Sequence, residues 1–455
     1  MTNSSWPIRT LACGLLLSFC AGLISAQTLV NVATDATDPR NLPDVEPSIA
    51  INPLNPREIV IATFSEKWKA TQGAPIWRSQ DGGATWEKIF VIPRPPSLRS
   101  GPGDQFVAYD SSGKLFLSQL DHPAGIGDTP FNYIYRQNGS VTSNFIPGKE
   151  FGDDQPLIEV HREGGPCANR IYSPWLEVRA RPVSRERSMV THSRDSGATV
   201  TTIVGGEHAG AGTRTTRLTI APDGGVYIFY KTRLGTSTSN FEPATFRVAR
   251  SDDCGVTWTG LGGGGVPVHP EAQVQTWFTK QFGNPGKGKV NRARSSDGWI
   301  AADPSDGDIY AAYVSRDASG FGQIYVARST NRGATWVSRR VTDGRNHSAF
   351  PALAVAANGT IGFLYIDYDD SGPRTIFRHR FARSFDNGAT WTDLTLQSMD
   401  PDRTNNYPNE FIWGDYEGLT AAGNTFFGVF TGESLPGKRT LLQLDPIFFT
   451  VSAEP

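Results

Sequence analysis

A short apolar run, a break at Gly, Asn or Asp, and a second apolar run recur seven times along this chain. The pairs are Pro47–Ile51 with Glu58–Ala62, Phe106–Tyr109 with Lys114–Leu117, Pro156–Val160 with Arg170–Tyr172, and Arg217–Ile220 with Val226–Tyr230. Trp299–Ala302 with Ile309–Tyr313, Pro351–Val355 with Ile361–Tyr365, and Gly418–Ala421 with Phe426–Val429 complete the set. Runs this short, joined by turn formers, predict β-hairpins rather than helices. The spacing leaves room for two more strands after each hairpin, so the pattern predicts repeated four-stranded sheets. After the last hairpin come Arg439–Leu444 and Ile447–Val451, and Thr28–Val32 is the remaining strand that completes the last sheet. Pairing the two ends of the chain in this way removes open sheet edges. The Gly-rich stretch Leu261–Asp297 reads as an insertion loop.

An octapeptide falls one strand-length after several of these hairpins. It is Ser79-Gln-Asp81-Gly-Gly83-Ala-Thr85-Trp86, and it returns at Ser251–Trp258 and Ser384–Trp391. Two degenerate copies have Asn331 in place of the Asp (Ser329–Trp336) and Val200 in place of the Trp (Ser193–Val200). Arg136–Ser140 keeps a vestige. The residue types suit a turn: Asp accepts backbone N–H bonds, Gly takes a positive φ, and Trp packs into the following sheet. These octapeptides match the Asp-box, or BNR, repeat, and the chain resembles the sialidase superfamily of β-propellers. The resemblance implies an all-β fold, a single propeller over residues 28–453. Seven blades are favoured by the hairpins, with six, the number familiar in sialidases, as runner-up. It also implies that the octapeptide turns lie on the face away from the active site, so their acids are structural.

Composition agrees with many short strands and tight turns: 48 Gly, 31 Pro, 25 Phe, 13 Tyr and 11 Trp, but 3 Met, in 455 residues. With 43 basic and 45 acidic residues and no long basic run, no nucleic-acid partner is expected. Residues 1–26 read as a secretory signal, with Arg9, an apolar run from Leu11 to Ile24 and small residues before Gln27. A secreted or periplasmic protein follows, without membrane insertion once the leader is cleaved. A monomer is expected. Cleavage removes Cys13 and Cys20, and leaves Cys167 and Cys254 as either one disulfide or two thiols.

In a propeller the residues just before each innermost strand converge on one end of the central channel. Here they include Asp44 and Glu46, Asp104 and Gln105, Asp153, Asp154 and Gln155, Arg214 and Arg217, Arg292 and Arg294, Arg345 and His347, and Trp413, Asp415, Tyr416 and Glu417. Alternating acids and guanidinium groups suit a carbohydrate: carboxyls as acid and base, arginines as clamps on an anionic group, aromatics stacked on a sugar face. The catalytic candidates are Asp104, Asp154, Asp415, Tyr416 and Glu417. The substrate-binding candidates are Arg217, Arg294, Arg345, His347 and Trp413. Resemblance to sialidases implies an exo-α-sialidase-type glycoside hydrolase with a Tyr–Glu nucleophile pair, which Tyr416 and Glu417 match by type. A polysaccharide lyase using His208 or His347, and a non-catalytic propeller that binds glycan or protein, are the alternatives. No cofactor is required by these schemes. The carboxylates also admit a structural calcium; Asp367, Asp369 and Asp370 look like a small calcium loop, but their spacing favours reading them as solvated loop acids.

Overall fold

The computed structural model describes residues 28–455 apart from 40–41, 66–73, 93–97, 124–130, 138–140, 146–152, 179–185, 207–212, 234–240, 260–264, 276–297, 370–375, 400–414 and 441. Every regular element among the described residues is a β-strand. A two-residue strand, β1 (Val30–Asn31), precedes six complete sheets. The first holds β2 (Asp44–Ile51), β3 (Ile59–Ser65), β4 (Ala74–Ser79) and β5 (Glu87–Ile92). The second holds β6 (Leu98–Tyr109), β7 (Leu115–Pro123), β8 (Phe131–Gln137) and β9 (Val141–Phe145). In the third, β10 (Asp153–Asp154) and β11 (Glu159–Val160) share the partner β12 (Ile171–Val178), followed by β13 (Glu186–Ser193) and β14 (Thr201–Gly206). The fourth holds β15 (Thr213–Ile220), β16 (Val226–Arg233), β17 (Phe241–Ser251) and β18 (Val266–Gln275). The fifth holds β19 (Trp299–Ala302), β20 (Ile309–Arg316), β21 (Gly322–Ser329) and β22 (Val337–Arg340). The sixth holds β23 (His347–Val355), β24 (Ile361–Asp369), β25 (Ile376–Ser384) and β26 (Thr392–Met399). The seventh is ordered β1-β29-β28-β27, with β27 (Gly418–Ala422), β28 (Thr425–Glu433) and β29 (Leu444–Ser452).

All pairings are antiparallel meanders, and the innermost strands of successive sheets pack on one another, with β27 against β2 closing the ring. The core accordingly lies between sheets. Tyr227, Phe229, Phe246, Ile309 and Tyr313 fill the gap between the fourth and fifth, and Phe381, Phe426, Phe430 and Phe449 the gap between the sixth and seventh. Two sequence expectations change. Residues 266–275 of the supposed insertion loop form β18, and of the stretch expected as a strand at 439–444, residues 439–440 and 442–443 lie outside strands while Leu444 opens β29. N-terminal Val30 pairs with Phe448, as the end-to-end closure requires.

The octapeptides form one repeated turn between third and fourth strands. Ser79 Oγ accepts from Gly83 N (2.8 Å) and donates to Asp81 Oδ1 (2.8 Å), while Asp81 accepts from Thr85 N (2.9 Å) and Thr85 Oγ1 (2.6 Å). The same contacts recur at Asp195, Asp253 and Asp386. In the Asn copy, Asn331 Nδ2 donates to Thr335 Oγ1 (2.8 Å) and the turn survives. Each turn leans on the preceding sheet. Trp86 packs edge-on to Phe448 (5.2 Å), and Gly83, at φ 95°, lies so close to the Phe448 ring that a Cβ would overlap it. The Cys167–Cys254 disulfide, with Cα atoms 5.4 Å apart, joins the inner turn of the third sheet to the octapeptide turn of the fourth.

Candidate functional site

The inner strands share a local distortion at the end of the channel away from the octapeptide turns. Register breaks between Val45 and Ser48, between Gly103 and Phe106, between Arg214 and Thr216, and between Ala349 and Ala352. Glu46, Asp104, Gln155 and Phe350 occupy these bulges or their counterpart in the third sheet with φ of 52°, 50°, 48° and 55°. Left-handed backbone costs a non-glycine residue about 1–2 kcal/mol, and a bulge re-aims the side chain it carries. In three of the four, Pro follows (Pro47, Pro156, Pro351), which has no N–H to leave unpaired where the ladder breaks.

These bulges bring a polar cluster together. Arg217 Nη1 donates to Gln155 Oε1 (3.2 Å), Gln155 Nε2 to Asp415 Oδ2 (3.2 Å), and the Asp415 backbone N–H to Glu46 Oε1 (2.9 Å). Asp104 faces the Glu46 carboxyl. Burial, and then the charges of Asp104 and Asp415, push the Glu46 carboxyl well above the usual carboxylate range, so it holds a proton. Below this trio lies an aromatic floor. Tyr416 packs on Phe106 (4.5 Å), and the Arg217 guanidinium sits 5.1 Å from the Trp299 ring and 5.9 Å from that of Tyr416. Burial and the nearby acids raise the Tyr416 phenol, which stays protonated. Tyr416 Oη is buried and has no hydrogen-bond partner among the described residues, while the Glu46 carboxyl lies within hydrogen-bonding reach of Asp104. The channel wall formed by the inner strands encloses about 290 Å³, lined by Ser48, Phe106, Glu159, Thr219, Trp299 and Thr420 among others. Burial pushes the Glu159 carboxyl there up to about 7, against the opposing charge of Arg162.

Of the residues selected from sequence, Asp104, Asp415, Tyr416 and Arg217 meet in this cluster. Glu417 does not: its carboxyl accepts from Thr431 N (2.9 Å) and contacts His379 Nε2 (3.3 Å), so the Tyr416–Glu417 pair is split between two environments. Arg345 is 85% exposed on a turn beside Asp343. His347 stacks on Tyr368 (4.8 Å) at the start of the sixth sheet, its Nδ1 accepting from Gly322 N. Asp154 pairs through its backbone with Leu176. Arg294 and Trp413, and His208, lie outside the described residues. The expectation of a solvated loop acid changes at Asp367, which is buried with its carboxylate held by Arg378 (2.6 Å) and Arg380 (2.9 Å), an arrangement that does not leave it for a calcium ion either. Among the described residues no group of three His, Cys, Asp or Glu has the arrangement to hold a metal ion. Glu46 and Gln155 were visible as residues ahead of inner strands but were not selected; the recurring X-Pro at the strand start is the signal that marks them.

No family model matches the chain. It is 28% identical over 93 residues to a xyloglucanase of a Paenibacillus species, a match that takes in 18% of this chain and spans about a tenth (9%) of that relative's length. Among solved structures it is similar to an ulvan lyase of a new polysaccharide lyase family, with TM-score 0.55, 11% identity, and 94% of this chain and 96% of that chain covered. An α-L-arabinanase from Penicillium chrysogenum complexed with arabinobiose gives TM-score 0.50, 13% identity, and coverage of 94% and 98%. The endosialidase of phage phi92 gives TM-score 0.50, 11% identity, and coverage of 94% and 69%. At such identities the likeness is one of fold: a β-propeller also used by carbohydrate-acting proteins.

Proposed function

We propose that this chain is a glycan-acting glycoside hydrolase of the sialidase-like propeller type, exported by its leader to a secreted or periplasmic location, and working as a monomer at the channel mouth. The observation that carries this reading is the carboxyl trio of buried Glu46 and half-buried Asp104 and Asp415 above the Tyr416, Phe106 and Trp299 rings. One carboxyl that keeps its proton, set beside two further carboxyls, is the arrangement that glycosidic cleavage needs. Glu46 donates its proton to the departing glycosidic oxygen. Asp415, fixed by Gln155 and through it by Arg217, acts on the anomeric side, either on the carbon or on a water. Asp104 holds the Glu46 proton in place, and Tyr416, protonated and unpartnered, donates a hydrogen bond to the sugar instead of acting as nucleophile. Asp154, Arg294, His347 and Trp413 are proposed for the rim.

The octapeptides, taken as Asp-boxes, make α-sialosides the first substrates to try. A panel of 4-methylumbelliferyl glycosides, with sialosides, arabinosides and glucuronides included, tests the reading on the mature chain beside Glu46→Gln and Asp415→Asn. Turnover lost in both variants, with the fold intact, supports it. A folded wild-type chain that binds glycans but turns none over replaces it with the carbohydrate-binding alternative.

A further inference from the structure

We infer that Glu417 and His379 form a positioning couple that holds Asp415 and Tyr416 at the mouth, an inference that rests on reading the mouth as a hydrolytic site. Backbone pairing of the last inner strand begins only at Gly418, so no strand ladder fixes residues 415–417. Their side chains and N–H groups do so instead, each in a different direction. Asp415 reaches Glu46 of the first sheet and Gln155 of the third, and Tyr416 packs on Phe106 of the second. Glu417 anchors backwards, to His379 on β25 of the sixth sheet and to Thr431 N on β28 of its own.

The anchor is chemically specific. Both groups are buried, and His379 stacks on Phe430 at 4.3 Å. Burial raises the Glu417 carboxyl well above its ordinary value and lowers His379 to about 3, so both are neutral. With Oε2 accepting from Thr431 N, the proton belongs on Oε1, facing His379 Nε2. A neutral acid hydrogen-bonded to a neutral imidazole avoids the penalty of a buried charge while keeping a directional contact. Apolar packing alone would hold the segment without fixing its rotation, and it is rotation that decides whether Asp415 N–H meets Glu46.

The test uses the 4-methylumbelliferyl glycoside that the wild-type chain hydrolyses fastest. Glu417→Gln keeps an acceptor for Thr431 and a donor for His379, and kcat is expected within about threefold of wild type. Glu417→Leu removes both and is expected to lower kcat about 100-fold, the scale of an ångström-sized misplacement, with KM changed by less than about threefold. His379→Phe, which keeps the stack on Phe430 and removes the acceptor, is the second variant should the leucine chain not fold, with the same expectation. Wild-type kcat in a folded Glu417→Leu or His379→Phe chain overturns the proposal. So does a loss in Glu417→Gln as large as in Glu417→Leu, since the acid itself would then be at work. A crystal structure of the apolar variant supplies a readout without turnover. Displacement of Asp415 from Glu46 is expected, and unchanged Asp415–Glu46 and Tyr416–Phe106 contacts overturn the couple. If no glycoside is turned over yet Asp415 is displaced, the hydrolase reading fails alone.

Discussion

At Glu46, backbone strain, burial and neighbouring charge act on one carboxyl. Its folded pKa lies above its unfolded one, so the proton it keeps favours folding at low pH, and that contribution is lost as pH rises through the raised value. As general acid, Glu46 gives the reaction an alkaline limit at that same raised value. Glu46→Gln is expected to lower kcat by about 10²–10⁴ and to remove the alkaline limb of the pH–rate profile; a limb unchanged in the variant would assign it to another group. Reading from sequence reached part of this. Asp104, Asp415, Tyr416 and Arg217 were legible as chemistry-bearing residues ahead of inner strands. The pairing of Tyr416 with Glu417 was not, because adjacent residues in extended chain project to opposite sides. One meets Phe106 and Arg217, the other His379. The proton on Glu46 was also illegible, since it depends on acids that are 58 and 369 residues away in the chain.

The recurring turn is the element on which sequence and structure agree most closely, because its contacts are local. Ser, Asp, Gly and Thr close it within seven residues, and the Asn331 copy demonstrates that an amide can replace the carboxylate. The Thr side chain and backbone N–H hold Asp81, Asp195 and Asp386 down to about 2; at Asp253 burial works the other way, and Thr257 and Ser251 outweigh it. Lowered folded values mean that the stabilisation is fully present above the ordinary value of 3.8 and disappears as pH falls through about 2. Thermal melts should therefore drop over that interval. A chain with Asn at all four positions should melt lower at neutral pH and show a shallower acid dependence; an identical acid slope would refute the assignment. The bulges are the opposite case. They arise where inner strands crowd at the mouth, and only the Pro that follows three of them leaves a trace in the sequence.

Across the whole molecule, apolar packing between sheets is supplemented by a disulfide that ties two of them and an ion pair that locks the closing sheet. The disulfide closes a segment of 87 residues between the third and fourth sheets. Replacing both cysteines by Ser is expected to cost about 2–4 kcal/mol in urea unfolding, and reductant should lower the wild-type midpoint while leaving the variant unmoved. At the seam where the chain ends meet, Arg439 donates to Asp445 (2.9 and 3.1 Å), and Asn31 Nδ2 donates to the same carboxylate (2.9 Å), all in buried surroundings. Asp445→Ala leaves a buried guanidinium short of its partner and is expected to cost about 3–5 kcal/mol; a loss below about 1 kcal/mol in the same titration would mean that Asp38, whose carboxylate lies 3.9 Å from the Arg439 guanidinium, suffices. The hairpin repeat made the seam legible as an expectation, whereas the ion pair that locks it was not, because nothing in the spacing of residues 31, 439 and 445 announces their meeting.

The pairing of Val30 with Phe448 also sets a timetable. A ribosome makes this chain from the N-terminus, so β1 emerges before the strands of all the other sheets and must wait, unpaired, until β29 has emerged. Six sheets can be assembled from neighbouring segments as synthesis proceeds, but the ring has no clasp until it ends. Joining the present ends by a short linker and opening the chain at an exposed inner turn, such as that near Leu54, would move the waiting strand elsewhere and let the seventh sheet form in sequence.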